Sequence, residues 1–366
     1  MPLTIALLPG DGIGPEVTAE AVRILKNVAD HAGKPFTFST HLIGGAALDA
    51  DGVGLPDRTL EACLGANAVL LGAVGHPKFD GRRPQERPEA AILALRQALG
   101  GFANLRPSVC YPALARRTPY QPERVRGANV LILRELLGGL YYGEPRGFEA
   151  SGNTAFNTMI YSRHEIERIA RVAFERARER KKQLASIDKA NVLETSQLWR
   201  AVVTEVGKAY PDVALEHVFV DAAAMRLAIA PTSFDVMLCE NLFGDILSDQ
   251  AASIAGSLGL LPSATIGGKI DLYEPVHGSA PDIAGKGIAN PIGAIASAAM
   301  LLRYSARMER EASDIDHAIE DALAAGARTK DIAGPGERVL STREMGQAIE
   351  DALNEARDRK HSYHAV

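Results

Sequence analysis

Asp245 and Asp249 stand four residues apart in Asn241-Leu242-Phe243-Gly244-Asp245-Ile246-Leu247-Ser248-Asp249-Gln250. The residues after Phe243 follow a helical apolar spacing with no proline before Pro262, so both carboxylates should leave one face of a helix. Like charges at that spacing repel. A hard divalent cation such as magnesium or manganese would offset the cost, because it takes carboxylate oxygens and keeps positions for water or substrate oxygens. The alternative is an Asp245 favoured by the helix dipole and an Asp249 that is merely solvated. Spacing alone does not separate the two.

Three arginines occupy suggestive settings: Arg96 closing an apolar helix, Arg106 before Pro107, and Arg134 at the end of a buried strand. Singly, each is an ordinary ion-pair partner. Together with two helical aspartates they could box in a substrate with several carboxylates, which arginine grips in bidentate fashion. Lys189 ends a strand in Ser186-Ile187-Asp188-Lys189, and strand ends are where α/β proteins place their sites. Burial and neighbouring cations can lower a lysine pKa and suit it to proton transfer. Tyr141 follows the glycine turn Gly138-Gly139 and could supply a phenolic proton. Asp221, expected to end the strand Val218-Phe219-Val220, could complete a three-aspartate metal site.

The elements that must carry these groups alternate between strand and helix. Leu3–Leu8 reads as a strand, followed by Pro9-Gly10-Asp11-Gly12-Ile13-Gly14-Pro15-Glu16 and a helix whose apolar face holds Val17, Ala21, Ile24, Leu25 and Val28. The loop lacks the G-x-G-x-x-G spacing, since the third glycine would fall at Pro15 or Val17, and no acidic residue ends the next strand near Phe36–Leu42. Its glycines could still let backbone approach a ligand. Further strands are expected at Ala68–Val74, Val130–Arg134, Leu184–Lys189, Leu215–Val220 and Phe234–Cys239. Helices are expected at about Glu89–Leu99 and Glu165–Lys181, around Trp199, and in three segments near the C-terminus. Such alternation implies an α/β protein with a largely parallel sheet.

The chain has 366 residues, enough for two domains with sizeable cores, and its hydrophobic (46%) and charged (23%) fractions are those of a soluble globular protein. A net charge of −5 without a basic stripe argues against nucleic acid as a partner. The charged run Arg178-Glu179-Arg180-Lys181-Lys182 is expected at the solvated end of a helix. Cys63, Cys110 and Cys239 are far apart among apolar or small residues, which points to buried free thiols rather than disulfides or zinc. No apolar run reaches membrane-spanning length, and the N-terminus lacks a targeting pattern, so a cytoplasmic protein is expected.

The chain resembles the metal-dependent β-decarboxylating dehydrogenases, the family of isopropylmalate, isocitrate, homoisocitrate, tartrate and D-malate dehydrogenases, and is most like the isopropylmalate branch. The resemblance rests on Leu8–Glu16, Phe102–Pro107, Arg134-Glu135-Leu136-Leu137-Gly138-Gly139-Leu140-Tyr141-Tyr142-Gly143, Asp188–Val192, Asn241–Asp249 and Glu274–Pro291, in family order over nearly the whole chain. It implies NAD-linked oxidation of the hydroxyl of (2R,3S)-3-isopropylmalate and loss of a carboxylate, giving 4-methyl-2-oxopentanoate in leucine biosynthesis. By the matching positions, Asp221, Asp245 and Asp249 would hold magnesium or manganese. Arg96, Arg106 and Arg134 would clamp the substrate carboxylates, Lys189 would be the general base, and Tyr141 would protonate the enol carbon. The resemblance also implies a homodimer in which Lys189 and Asp221 reach the site from the partner.

Within the family, substrate choice should lie in Glu89, Ile92 and Leu93, where the two apolar residues offer a wall for an isopropyl group or simply fill core. An apolar pocket discriminates by only about 1–3 kcal/mol per methylene, so related 3-alkylmalates or D-malate could also react. For the cofactor, His277, Gly278, Ser279, Ala280 and Asp282 match the adenosine loop, with Asn290 nearby. Asp282 would bind the ribose hydroxyls and repel a 2′-phosphate, favouring NAD over NADP, and the loop lacks the Lys-Tyr pair of NADP-dependent isocitrate enzymes. Departures from the family pattern are His76, Phe79 and Leu137, and the tail Glu355–Val366 extends beyond the matching stretches.

The expected architecture is two α/β domains with mainly parallel sheet cores, isopropylmalate dehydrogenase-like and not a standard Rossmann fold. Residues 1–103 with 256–366 would form a discontinuous cofactor domain, and 104–255 a substrate, metal and dimerisation domain, with the site in the cleft and hinge closure over substrate. Rival readings are a D-malate or tartrate-type dehydrogenase, a magnesium-dependent phosphohydrolase, and a catalytically dead homologue. The phosphohydrolase lacks a G-x-x-x-x-G-K-[ST] loop, and the dead homologue is at odds with the full set of charged residues.

Overall fold

The computed structural model describes residues 2–364. In chain order the elements are β1 (Leu3–Gly10), α1 (Gly14–Ala32), β2 (Phe36–Thr40), α2 (Gly44–Asp51), α3 (Asp57–Gly65), β3 (Ala68–Ala73), α4 (Pro88–Leu99), β4 (Ala103–Val109), α5 (Pro122–Val125), β5 (Asn129–Glu135), β6 (Gly147–Phe148) and β7 (Ala155–Phe156). They continue through α6 (Arg163–Arg178), β8 (Gln183–Asp188), α7 (Glu194–Gly207), β9 (Ala214–Phe219), α8 (Val220–Ile229), β10 (Val236–Cys239) and α9 (Asn241–Ala255). The chain ends with β11 (Pro262–Ile266), β12 (Asp271–Pro275), α10 (Ile292–Tyr304), α11 (Glu309–Ala324) and α12 (Thr342–His364). No described helix is long and apolar enough to cross a membrane.

By contacts the chain divides into two compact units: Met1–Gly101 with Tyr111–Pro119 and Ala255–Val366, and Phe102–Cys110 with Tyr120–Ile254. In the first, the strand order is β2-β1-β3-β12-β11, parallel except for β11, which runs antiparallel to β12. β3 is buried at every residue, which explains its unbroken apolar sequence. Leu8, Ile43, Leu71, Leu95 and Leu272 meet in one core cluster. Helix α10 is buried from Ile292 to Leu302, so its sequence carries no polar stripe there.

The glycines of the loop after β1 are needed for contacts within the chain itself. Gly10 and Gly12 adopt left-handed φ values of 71° and 56°. A Cβ on Gly10 would stand 1.9 Å from the Ala73 carbonyl oxygen, and one on Gly12 1.9 Å from that of Ser279. The close approach is to the chain's own backbone. Between them, buried Asp11 accepts N–H bonds from Gly45 and Gly75 on one carboxylate oxygen and from Ala46 on the other, each 2.8 Å long. One side chain thus joins this loop to the first turn of α2 and to the segment leaving β3.

In the second unit the order is β4-β5-β10-β8-β9, parallel except for β4 against β5. Helix α6 starts at a capping box of Ser162 and Glu165 and buries Ile166, Ile169, Ala173 and Ala177, the face its periodicity predicted. All three cysteines are buried free thiols, as expected.

Two expectations need correction. Asp221 does not end a strand: β9 stops at Phe219, and Asp221 lies in the first turn of α8, where the helix dipole favours a carboxylate. The run 178–182 is not uniformly solvated. Arg180 turns inward, donating from Nε to the buried Asp235 at 2.7 Å and from its terminal nitrogen to the Asn129 carbonyl at 2.6 Å.

Candidate active site

Helix α9 begins where β10 ends, with the carboxylate of Glu240 accepting the N–H groups of Leu242 (3.1 Å) and Phe243 (2.8 Å). One turn on, Asp245 is the meeting point of the second unit. Its Oδ1 takes the terminal Nη1 of Arg134 and lies 3.3 Å from that of Arg106, while its Oδ2 accepts the Tyr141 hydroxyl at 2.7 Å. Asp249, the next turn along, has a carboxylate oxygen 3.7 Å from the same Arg106 nitrogen. Of the three arginines, the tyrosine and the two helical aspartates singled out from the sequence, Arg106, Arg134, Tyr141, Asp245 and Asp249 are assembled within one unit, whereas Arg96 belongs to the other.

Each arginine is fixed before it reaches the aspartates. Arg106, on β4, donates from Nε to Asn104 at 2.7 Å and from Nη1 to Ser248 at 2.8 Å. Arg134, near the end of β5 and almost fully buried, donates from Nε to Asn241 at 2.9 Å, and its guanidinium lies 5.3 Å from the Tyr141 ring centroid. A Cβ on Gly244 would come within 2.8 Å of the Arg134 Cβ and Cγ, so only glycine lets the helix pack this closely. Burial, then the hydrogen bond to Asp245, pushes the Tyr141 hydroxyl up to about 12, so it holds its proton at neutral pH. Burial is also the main cause raising Asp249, reinforced by the like charge of Asp245 and opposed by Arg106.

Lys189 and Asp221 sit elsewhere in the unit and pair with each other, Nζ to Oδ1 at 2.6 Å. The lysine's ammonium draws the Asp221 carboxyl below its ordinary value. The turn carrying Lys189 is held by Ser196, which accepts its backbone N–H at 3.0 Å. Next to it, buried Asp188 takes Arg200 through two bonds of 2.8 and 2.9 Å. Among the described residues no group of three or more His, Cys, Asp or Glu side chains stands close enough to hold a metal ion. Within one chain, Asp221 does not join Asp245 and Asp249.

In the first unit, Arg96 on α4 donates to Glu274 at the end of β12 at 2.6 Å, both side chains largely buried. Ile92 packs against the core cluster, so part of its apolar surface serves the core; Leu93 is half-buried and Glu89 exposed. A Cβ on Gly75 would lie 3.0 Å from a Glu89 carboxylate oxygen and 3.7 Å from the Ser279 hydroxyl, so the start of α4 and the His277–Asp282 loop converge there. His277 Nδ1 lies 2.9 Å from the Gly278 carbonyl oxygen, while its buried Nε2 has no hydrogen-bond partner among the described residues. Burial, above all, holds this imidazole below its ordinary pKa. Gly278 faces open space, Ala280 adopts a positive φ of 39°, and Asp282 is exposed. Asn290 is engaged internally: it donates to Asp331 at 3.0 Å and accepts the Ile292 N–H at 3.0 Å. Asn104, Ser248 and Asn241, which orient the arginines, were not singled out from the sequence; their value lies in side-chain directions that spacing does not reveal.

Residues 4–349 match the isocitrate/isopropylmalate dehydrogenase family. The chain is 54% identical to the 3-isopropylmalate dehydrogenase of Geobacillus kaustophilus, over 95% of each chain. It is 53% identical to that of Moorella thermoacetica, over 96% of this chain and 99% of the other. Among solved structures, an isocitrate dehydrogenase from Methylococcus capsulatus matches with a TM-score of 0.86 at 35% identity, over 96% of this chain and 99% of the other. A β-decarboxylating dehydrogenase from Thermococcus kodakarensis matches with a TM-score of 0.78 at 36% identity, over 96% of each. The chain belongs to the isocitrate/isopropylmalate dehydrogenase family.

Proposed function

We propose that this protein oxidises (2R,3S)-3-isopropylmalate with NAD and releases a carboxylate as carbon dioxide, forming 4-methyl-2-oxopentanoate for leucine synthesis. The substrate is supported by relatives of that name at 51–54% identity over nearly the full chain. The single structural observation that carries the site is the convergence of Arg106, Arg134 and Tyr141 on Asp245, with Asp249 one turn beyond.

The charge balance of the cluster suits this chemistry. Two arginines and two aspartates neutralise one another, and a divalent cation plus a dicarboxylate would add equal and opposite charge. Asp245 and Asp249 would hold the hard cation, magnesium or manganese, and Arg106 and Arg134 would bind the substrate carboxylates. The raised pKa of Asp249 and its repulsion by Asp245 mark a pair that gains from such a cation. The ion would act as a Lewis acid on the substrate hydroxyl and on the enolate that decarboxylation leaves. Lys189, once in its neutral amine form, takes the hydroxyl proton, and Tyr141, protonated at neutral pH, delivers one to the enol carbon.

Asp221 and Lys189 reach this site from the second subunit of a homodimer. The support is their separation from Asp245 and the large apolar side chains exposed beside each half: Val192 (60% exposed), Met225 (59%) and Ile246 (58%). For NAD, the buried, orphaned Nε2 of half-buried His277, the open space at Gly278 and the exposed Asp282 suit a nucleotide, with Ser279, Ala280 and Asn290 shaping the loop. Arg96 joins the carboxylate clamp, and Glu89, Ile92 and Leu93 face the substrate's alkyl group. Buried free thiols suit a reducing cytoplasm.

The test is NADH formation with manganese on 3-isopropylmalate, D-malate, tartrate and isocitrate, each with NAD and NADP. The expected result is the highest kcat/KM for 3-isopropylmalate with NAD, with carbon dioxide released in step with NADH. A higher value for D-malate or tartrate would contradict the substrate assignment, and preference for NADP would contradict the role of Asp282.

A further inference from the structure

We propose that Asn241 is a positioning residue that sets the Tyr141 turn, Arg134 and the aspartate helix at their working distances; this rests on reading Tyr141 as the proton donor. Asn241 is fully buried, and each of its polar side-chain atoms is committed. Its Oδ1 accepts Arg134 Nε at 2.9 Å, and its Nδ2 donates to the carbonyls of Leu136 at 3.1 Å and Gly138 at 3.0 Å. Arginine only donates and carbonyls only accept, so the amide has one possible orientation. Its backbone N–H goes to the Tyr161 hydroxyl at 2.9 Å.

These bonds close a ring. From Asn241 the amide reaches the turn at Gly138, the chain runs three residues to Tyr141, and the Tyr141 hydroxyl returns to Asp245 at 2.7 Å. Asn241 and Asp245 lie four apart on α9 and so share a face. Glu135 holds the turn from its other side, accepting the N–H groups of Leu137 at 3.3 Å and Gly138 at 2.8 Å while paired with Arg168 at 3.1 Å. Helix capping does not require Asn241, because Glu240 already accepts the first helical N–H groups. An aspartate at 241 would still receive Arg134 but would face two carbonyl oxygens with a third acceptor. A serine would be too short to reach them.

The experiment is a double-mutant cycle on the complete enzyme, with Asn241→Asp, Tyr141→Phe and the pair, in saturating manganese and NAD. Displacing the turn by about 1 Å should lower kcat of Asn241→Asp about 100-fold. Its KM for 3-isopropylmalate should stay within about threefold, because Arg134 keeps its acceptor. If Asn241 acts through Tyr141, the double variant should be within about threefold of Tyr141→Phe alone. Losses that multiply, or an Asn241→Asp enzyme with wild-type kcat, would overturn the proposal alone. Full turnover in Tyr141→Phe would remove the proton-donor reading and this proposal with it. Should Asn241→Asp not fold, Asn241→Ser, which also loses both turn bonds, enters the same cycle with the same expectation of non-additive loss.

Discussion

Arg134 is nearly sealed from water, yet its Nε serves Asn241 and its Nη1 serves Asp245. A lysine carries a point charge without that fork and can serve only one of the two. Arg134→Lys should therefore raise KM for 3-isopropylmalate at least about tenfold and, by leaving a buried acceptor unpaired, cost about 1–3 kcal/mol in urea unfolding. Unchanged KM and stability would show that the fork is not what holds the cluster. At this scale the sequence was legible where a residue belongs to a matched motif: Arg106, Arg134, Tyr141, Asp245 and Asp249 come together, while Arg96 lies in the other unit and Asp221 pairs with Lys189. It was not legible where the role depends on which way a side chain points. Asn241 stood within the aspartate motif, but nothing in its spacing says that its amide turns back toward Gly138.

The long elements were read correctly because their apolar faces repeat: α1 and α6 bury the periodic residues, and α4 and the buried strands β3, β5, β8 and β10 stand where apolar runs predicted them. The short elements were not. Helices α2, α3 and α8 and the paired segments β6 and β7 are too brief for a period to accumulate, which is how Asp221 was assigned to a strand end rather than a first helical turn. What secures such short pieces is local bonding, and Asp11 is the clearest instance, with three backbone N–H groups on one buried carboxylate. Asp11→Asn replaces an acceptor with a donor that faces an N–H group. Thermal unfolding should register a loss of about 2–3 kcal/mol, and an unaltered midpoint would mean that the three bonds do not hold the loop.

At the scale of the whole molecule, the proposed site would draw its two halves from the second units of two chains. Asp245 and Asp249 lie with the arginines, Lys189 and Asp221 lie with each other, and the described residues of one chain hold no triple of metal-ligating side chains. Large apolar residues exposed on β6 (Phe148), on α8 (Met225, Ile229) and on α9 (Ile246) suit burial against a second copy. Periodicity does not reveal an interface, because a face that would meet another copy has the same pattern as one that meets the core. The most direct measurement is subunit mixing. Lys189→Ala and Asp245→Asn, each expected to be inactive alone, are unfolded together, refolded and assayed with 3-isopropylmalate, manganese and NAD. In a mixed dimer one site takes intact Asp245 from one chain and intact Lys189 from the other, so random pairing should restore about a quarter of wild-type turnover in a two-fold symmetric dimer. No recovery from a mixture shown to contain mixed dimers would contradict the shared site and return Lys189 and Asp221 to roles within their own chain.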